Sequence, residues 1–420
     1  MPRRTRARLL GALTLLLGAA CTDGGANVTT TTTVAAVTTT TRPDDGALVV
    51  GAVLPTSGSA SELGSAMSVG LAVALSEINA AGGINGRPVR LVTREEGSNP
   101  ATARLAVQEL TPFVDAIIGP TSSLDVLSTL GTAVDAGVLT CSPTSTAIAL
   151  DEFPDKGLFF RTIPSDSVQA EAIASAVEAS GSSIAAIVYL DDAYGRPFAN
   201  AVQTAIERSG TDVAVTVGFT ATEESMSAAV DAVMATEAAV VAVIADSSDG
   251  PAIINAISAQ SGPGFSFVVN DAIRRPASSA QLFARDVAPR IVGVAPVANS
   301  GSPQFSAALA EVNPATTGLF AHNAYDCLSI IALAAKTSGS LQPLTMAGAI
   351  ARVTSSGSAC STYTSCSTAL LDGRNINYNG PTGNLSIDEN GNVVTANFDR
   401  FTFDANGRDI ADGSISVGNG

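Results

Sequence analysis

The sequence predicts an α/β protein built as two similar lobes in succession, each a parallel sheet flanked by helices. Three observations carry that reading. Apolar runs at 48–54, 88–92, 114–118 and 137–141 are each followed by a helical stretch, the alternation that a parallel sheet demands. A second set of the same kind begins at Ser183, with runs at 184–190 (IAAIVYL), 213–218, 239–245 (AVVAVIA) and 265–269 (FSFVV). The chain has 420 residues, 46% of them hydrophobic. That is enough for two cores at roughly 100 to 200 residues per domain.

From the start of the chain, Met1 to Arg8 carries four arginines and no acid, Leu9 to Ala20 is apolar, and small residues precede Cys21. Those are the charged, apolar and cleavage regions of an export signal over residues 1–20. The apolar run is shorter than the roughly 20 residues a membrane-spanning helix needs, and no later segment reads as long and apolar enough. Residues 21–47 are low-complexity, with TTTTT at Thr29 to Thr33 and TTTT at Thr38 to Thr41. They hold too little apolar surface to fold and read as a disordered tether, reaching roughly 80 to 90 Å when extended.

Past the tether, Leu63, Met67, Leu71, Ala74, Leu75 and Ile78 recur every three or four residues, the stripe of a helix packed on a sheet. In the joint EINAAGGINGRP (Glu77 to Pro88), Gly82 and Gly83 end that helix, because glycine adopts a left-handed terminal conformation at no steric cost. Two loops in the first lobe are rich in hydroxyls: IIGPTSS (Ile117 to Ser123) and TCSPTSTA (Thr140 to Ala147). Each ends a strand and opens a helix. Capping is the ordinary job of such hydroxyls, but helix N-termini with added donors also hold carboxylates. Further on, Ile291 to Val297 and the helical Leu319 to Lys336 read as a return to the first lobe, and Asn375 to Asp404 as short strands and turns.

The formal net charge is -16, and loss of residues 1–20 would make the chain more acidic by four charges. Nucleic acid is a poor partner for such a surface, since phosphate binding needs clustered Lys and Arg. Cys360 and Cys366, in CSTYTSC, are close enough to close a small loop, and a disulfide is expected there in an oxidising compartment. Cys141 and Cys327 lie in apolar surroundings and read as buried thiols. His322 is the one histidine, inside the apolar GLFAHNAYDC, and reads as a packed residue rather than a base. No nucleophile elbow, phosphate-binding loop, HExxH or dinucleotide fingerprint occurs, so neither catalysis nor a cofactor is expected. The run DENGN (Asp388 to Asn392) lacks the spacing of a calcium loop and reads as a turn.

The stretch Gly51 to Val92, GAVLPTSGSASELGSAMSVGLAVALSEINAAGGINGRPVRLV, resembles the opening of the type 1 periplasmic binding proteins, specifically the branched-chain amino-acid-binding (leucine-binding protein) family. The resemblance covers nearly all of residues 48 to 405. It implies two Rossmann-like lobes joined by a three-strand hinge crossed near Ile163, Ala295 and Tyr378. Lobe 1 would be 48–163 plus 295–377 and lobe 2 would be 164–294 plus 378–415. Separately, Gly18-Ala19-Ala20-Cys21 resembles a bacterial lipobox, with Gly18 where Leu is usual and Leu17 one step earlier. That implies a lipid on Cys21.

Carried over position by position, the resemblance puts the carboxylate-binding serine at Ser123, a backbone contact at Thr144 and the hydroxyl that helps hold a zwitterion at Thr146. The acidic partner of the ligand ammonium falls at Asp271, and Tyr194, in DDAYG, matches the family's YG turn, which places it either lining the cleft from the second lobe or packed at the lobe surface. Two positions depart from the pattern. Leu63 replaces an aromatic residue over the ligand, and Asp246 or Ser247 replaces a second-lobe tyrosine, which puts leucine itself in doubt as the ligand. The implied function is an extracytoplasmic, lipid-anchored solute-binding protein that delivers an amino-acid-like or amide ligand to the permease subunits of an ABC importer. A ligand-binding accessory of a membrane sensor is the competing reading, and amide hydrolysis a third that lacks a plausible base.

Overall fold

Strand β1 (Val49–Leu54) is buried along its whole length, and its side chains divide between two cores. Val50, Ala52 and Leu54 face one, Val49 and Val53 the other. A strand apolar on both faces requires helices on both faces, which is the layer pattern of a parallel sheet. The computed structural model describes residues 46–274, 283–404 and 406–418; the export signal, Cys21 and nearly all of the tether lie outside the described residues.

β1 is joined by α1 (Ser61–Ala80) to β2 (Arg90–Glu95), then by α2 (Pro100–Leu110) to β3 (Ala116–Ile118), and by α3 (Ser123–Asp135) to β4 (Leu139–Ser142) and β5 (Phe159–Arg161). The sheet order is β2-β1-β3-β4-β5, parallel throughout. At the joint after α1, Gly82 and Gly83 take φ of +96° and +65°. A Cβ on Gly83 would sit 2.0 Å from the Arg87 carbonyl oxygen, so no other residue fits there. Asn79 then fastens helix end to strand start, accepting from the Val89 N–H at 2.7 Å and donating to its carbonyl at 3.1 Å. One expectation needs correction here: α1, at 20 residues, is long and apolar enough to cross a membrane by composition. Its apolar face is instead core, with Met67, Leu71, Ala74 and Ile78 buried.

The second sheet follows α4 (Asp166–Ala179) and comprises β6 (Ile184–Leu190), β7 (Asp212–Phe219), β8 (Val240–Ile244), β9 (Ser266–Val269) and β10 (Ile291–Pro296). Helices α5 (Gly195–Arg208), α6 (Glu223–Met234) and α7 (Asp249–Ser261) connect them. These five strands are parallel. Ile291 to Val297 therefore does not return to the first lobe. β10 pairs with β9, and its residues divide between the two faces of the second sheet, Ile291 and Ala295 on one and Val294 on the other. A strand buried on both faces carries no pattern that says which sheet it joins.

After Pro296 the chain returns with α8 (Pro303–Val312), α9 (Ala321–Ser338), α10 (Pro343–Ser355), β11 (Ser358–Cys360), α11 (Tyr363–Leu371) and β12 (Ile376–Tyr378), which add residues to the first core. α9 lies against α1 at Gly70, where a Cβ would fall 2.1 Å from the Ala321 carbonyl oxygen. Tyr378 is buried in the β11–β12 pair, and Leu385, Ile387 and Val393 still belong to the first core. The third passage to the second sheet thus comes between Val393 and β13 (Ala396–Phe403), later than the position expected near Tyr378. β13 and β14 (Asp409–Val417) complete the sheet as an antiparallel pair, giving the order β14-β13-β10-β9-β8-β6-β7.

Cys360 and Cys366 are bonded to each other. So are Cys141 of β4 and Cys327 of α9, with Cα atoms 5.8 Å apart, which corrects the reading of both as thiols. The pairing joins positions 186 residues apart, and only the packing of α9 on the first sheet brings them together.

Candidate functional site

In sheets of this kind ligands sit at the carboxyl ends of the strands, where loops feed helix N-termini. The loops after β3 and β4 do so here, and they are stitched together. Thr144 Oγ1 donates to the Thr121 carbonyl at 2.8 Å and Ser145 Oγ to the same oxygen at 3.2 Å, while the Ala147 N–H donates to Ser123 Oγ at 3.3 Å. Ser122 caps α3, its Oγ accepting from the Asp125 N–H at 3.1 Å. Part of the hydroxyl wealth is therefore structural. Ser123 opens the first turn of α3, and Thr146 is buried at the far end of the second loop. The structure thus gathers Ser123, Thr144 and Thr146 onto one pair of loops.

Two buried charges, both missed in the sequence reading, hold these loops. Glu96, directly after β2, accepts from the Thr121 N–H (3.0 Å), the Thr121 hydroxyl (2.9 and 2.8 Å) and the Ser122 N–H (3.2 Å). Burial outweighs those donors and pushes its carboxyl up to about 7. Arg161 is fully buried and donates to the carbonyls of Ser145 (3.3 Å) and Ala147 (3.2 Å). It is paired with Asp151 and with Asn392 of the DENGN run, whose Asp388 Oδ1 accepts from the N–H groups of Asn390 and Asn392, as a turn should. An arginine inside the apolar LFFRTI was the available sign of a buried cation, and an acid immediately after a strand the sign of Glu96.

Opposite the loops stands an acidic cluster. Asp166, the first residue of α4, is 1% exposed; it receives the Tyr194 hydroxyl at 3.3 Å, and the Thr146 hydroxyl also bears on it. Its carboxyl is pushed up to about 8, by burial first and by the nearby charge of Asp271 second. Asp271 accepts from Gln169 Nε2 at 2.9 Å, and the same nitrogen donates to the Val294 carbonyl at 2.9 Å. Burial raises its pKa as well. Tyr194 is held edge-on against Phe198, with centroids 5.9 Å apart, and its phenol is driven up by burial and by the two aspartates. Thr146, Asp166, Gln169, Tyr194 and Asp271 therefore form one neighbourhood that joins the first-sheet loops to the second sheet. Asp166 and Gln169 were not singled out from sequence.

Asp246 and Leu63 do not join it. Asp246 is exposed and its Oδ1 accepts from the N–H groups of Ser248 (2.8 Å) and Asp249 (2.7 Å), capping the turn into α7. Leu63 packs half-buried against the first core. His322 is fully buried, stacked on Phe320 with centroids 6.4 Å apart, and burial lowers its pKa to about 4. Among the described residues, no group of three or more His, Cys, Asp or Glu is arranged to hold a metal ion.

The arrangement sets hydroxyls and helix N-termini suited to an anion on one side and under-neutralised carboxyls suited to a cation on the other. Comparison with known proteins gives the family. A protein of Halobacterium salinarum described as the chemotactic signal transduction system substrate-binding protein BasB is 29% identical over 355 residues, covering 81% of this chain and 83% of its own. The leucine-, isoleucine-, valine-, threonine-, and alanine-binding protein of Pseudomonas aeruginosa is 24% identical, covering 82% and 86%. The crystal structure of the branched-chain amino acid transporter substrate binding protein LivJ from Streptococcus pneumoniae in complex with isoleucine shares the fold. Its TM-score is 0.63 at 21% identity, over 88% of this chain and 99% of that one. These relatives are substrate-binding proteins, not enzymes. The sequence profile of the periplasmic binding protein family matches residues 47–407, and the chain belongs to that family, an extracytoplasmic class of solute-binding proteins.

Proposed function

We propose that this protein is the solute-capturing component of an ABC importer, closing its two halves on a small amino-acid-like or amide ligand that bears an ammonium group. The observation that carries the reading is the meeting of Thr146 with Asp166 and Tyr194, beside Asp271 and Gln169. Buried carboxylates with so few donors are costly to ionise, and an ammonium supplies both the missing donors and the missing charge. Ser123, Thr144 and Thr146 would take the ligand's carboxylate or amide end. A ligand bridging both sides favours the closed arrangement by the contacts it makes there and not in the open one. In this reading Cys21 carries the lipid, residues 21–47 are the tether, and the closed form docks on permease subunits in the membrane.

A sensory role is the second reading, favoured by the chemotactic assignment of the Halobacterium relative. Neighbouring permease and ATPase genes would support import; a kinase or chemotaxis transducer gene would support sensing. The binding claim is tested by thermal-shift screening against amino acids, amides and polyamines, since a ligand of the folded state raises the melting temperature by mass action. Asp271→Ala should abolish the shift given by any amine. A shift that survives that change would take Asp271 out of the site.

A further inference from the structure

Thr146 and Asp166 share a backbone bond as well as a neighbourhood: the Asp166 N–H donates to the Thr146 carbonyl at 2.8 Å. Asp166 is flanked by two serines, and both reach one carboxylate. Ser165 Oγ donates to Asp151 Oδ1 at 2.7 Å and Ser167 Oγ to Asp151 Oδ2 at 2.8 Å, so Asp151 grips the start of α4 on either side of Asp166. Asp151 is in turn paired with the fully buried Arg161.

Arg161 carries the grip in two further directions. Its Nη1 donates to the carbonyls of Ser145 and Ala147, the residues on either side of Thr146. Its Nε and Nη2 donate to Asn392 Oδ1 at 3.0 and 2.6 Å, and Asn392 Nδ2 donates to the Asp151 carbonyl at 2.9 Å. With the bond to Asp151, the guanidinium makes five hydrogen bonds, as many as it has N–H groups. None is left for a guest. One buried cation therefore joins the loop of Thr146, the helix start of Asp166 and the 388–392 turn that precedes the third passage.

We infer that the Arg161–Asp151 pair is the positioning element of the binding site, setting Asp166 against Thr146 and tying that setting to the 388–392 turn without touching the guest. The inference rests on the reading of Asp166 as a holder of the ammonium. Electrostatics point the same way. Burial and then the charge of Asp271 raise the Asp166 carboxyl, the hydroxyls of Thr146 and Tyr194 and the charge of Arg161 pull it back, and Arg161 is the one cation of that set. The carboxylates that act on Arg161 are Asp151, Asp166 and Asp388. Weakening the pair should therefore move Asp166 in space and in titration together, whereas a mere loss of stability moves neither.

The test follows the Asp166 carboxyl carbon by NMR against pH in the empty full chain, the signal being assigned by its loss in Asp166→Asn. From a midpoint of about 8, Arg161→Gln should raise it by roughly one pH unit. Arg161→Lys, which keeps the charge, should bring it back towards the starting value. Ser167→Ala and Asn392→Ala should raise it less, and they decide the matter alone if Arg161→Gln does not fold. Calorimetry with L-leucine, L-alanine amide and putrescine should then show affinity about three- to tenfold weaker in Ser167→Ala for whichever of them binds, restored in Ser167→Thr. A lowered melting temperature with an unmoved midpoint would make the pair a structural brace and overturn the inference. A moved midpoint with no heat from any of the three amines would uphold the positioning and remove the amine reading instead.

Discussion

Glu96 and Asp166 are both buried carboxyl groups with raised pKa, yet they differ in what surrounds them. Glu96 takes the donors of Thr121 and Ser122, two N–H groups and a hydroxyl, and so fixes the loop that carries Ser123. Asp166, more strongly raised, takes the Tyr194 hydroxyl at 3.3 Å and the influence of Thr146, and feels the charge of a second carboxyl, Asp271, more than that of the Arg161 cation. Burial alone therefore does not separate a brace from a ligand-holding group. The supply of donors does, because a carboxylate that already accepts from three donors has little lone-pair capacity left for a guest.

The comparison can be broken most decisively at Asp166. Asp166→Asn should weaken an amine ligand by roughly 30- to 1,000-fold, the effect of removing one partner of a buried charge pair, with no fall in melting temperature. A calorimetric loss under threefold would refute the distinction. Next comes pH. The folded carboxyl is raised to about 8 against an unfolded value near 3.9, so its protonated form is the one folding favours. That contribution is complete below about pH 4 and is lost as pH climbs through about 8, so the empty protein should lose stability between about pH 4 and 8, less so in Asp166→Asn. Affinity for a cationic amine should meanwhile rise with pH up to about 8, by at most about tenfold per unit, with proton release on binding.

Smaller effects test the brace. Glu96→Gln keeps one oxygen for the Thr121 and Ser122 N–H groups but puts an NH2 where the second oxygen met the Thr121 hydroxyl, and should cost about 1 kcal/mol in denaturant unfolding. Its loss of ligand affinity should be smaller than that of Asp166→Asn; the reverse ranking would exchange the two roles. Smallest of all, Asp246→Ala should remove a helix cap worth about 0.5 to 1 kcal/mol and leave ligand affinity as it was.

Much of the architecture was legible because strands buried on both faces are uninterrupted apolar runs: β1, β3, β4, β6, β8 and β9 all announce themselves this way. β5 escaped because a charged residue, Arg161, closes a strand of three, and β14 because a largely exposed edge strand, DIADGSISV, has no apolar face to display. The loops bearing Ser123, Thr144 and Thr146 were visible as hydroxyl clusters between strand and helix. Asp166 was not, since an acid after Ser165 at a helix start reads as ordinary capping. Its meaning depends on Asp271, more than a hundred residues away, and local sequence carries no such distance. The passage after Val393 and the partner of Cys141 were hidden for the same reason.

The covalent link between Cys141 and Cys327 also sets an order of events. A chain that emerges from its amino end presents the first thiol long before the second exists outside, so the first-sheet half waits for α9 before it can be sealed. An oxidant that acts too early finds Cys141 with only the wrong mates, and the later Cys360 and Cys366, six residues apart, are the nearest competitors for Cys327. Secretion yield in a host lacking disulfide isomerase is thus where this feature would be felt first.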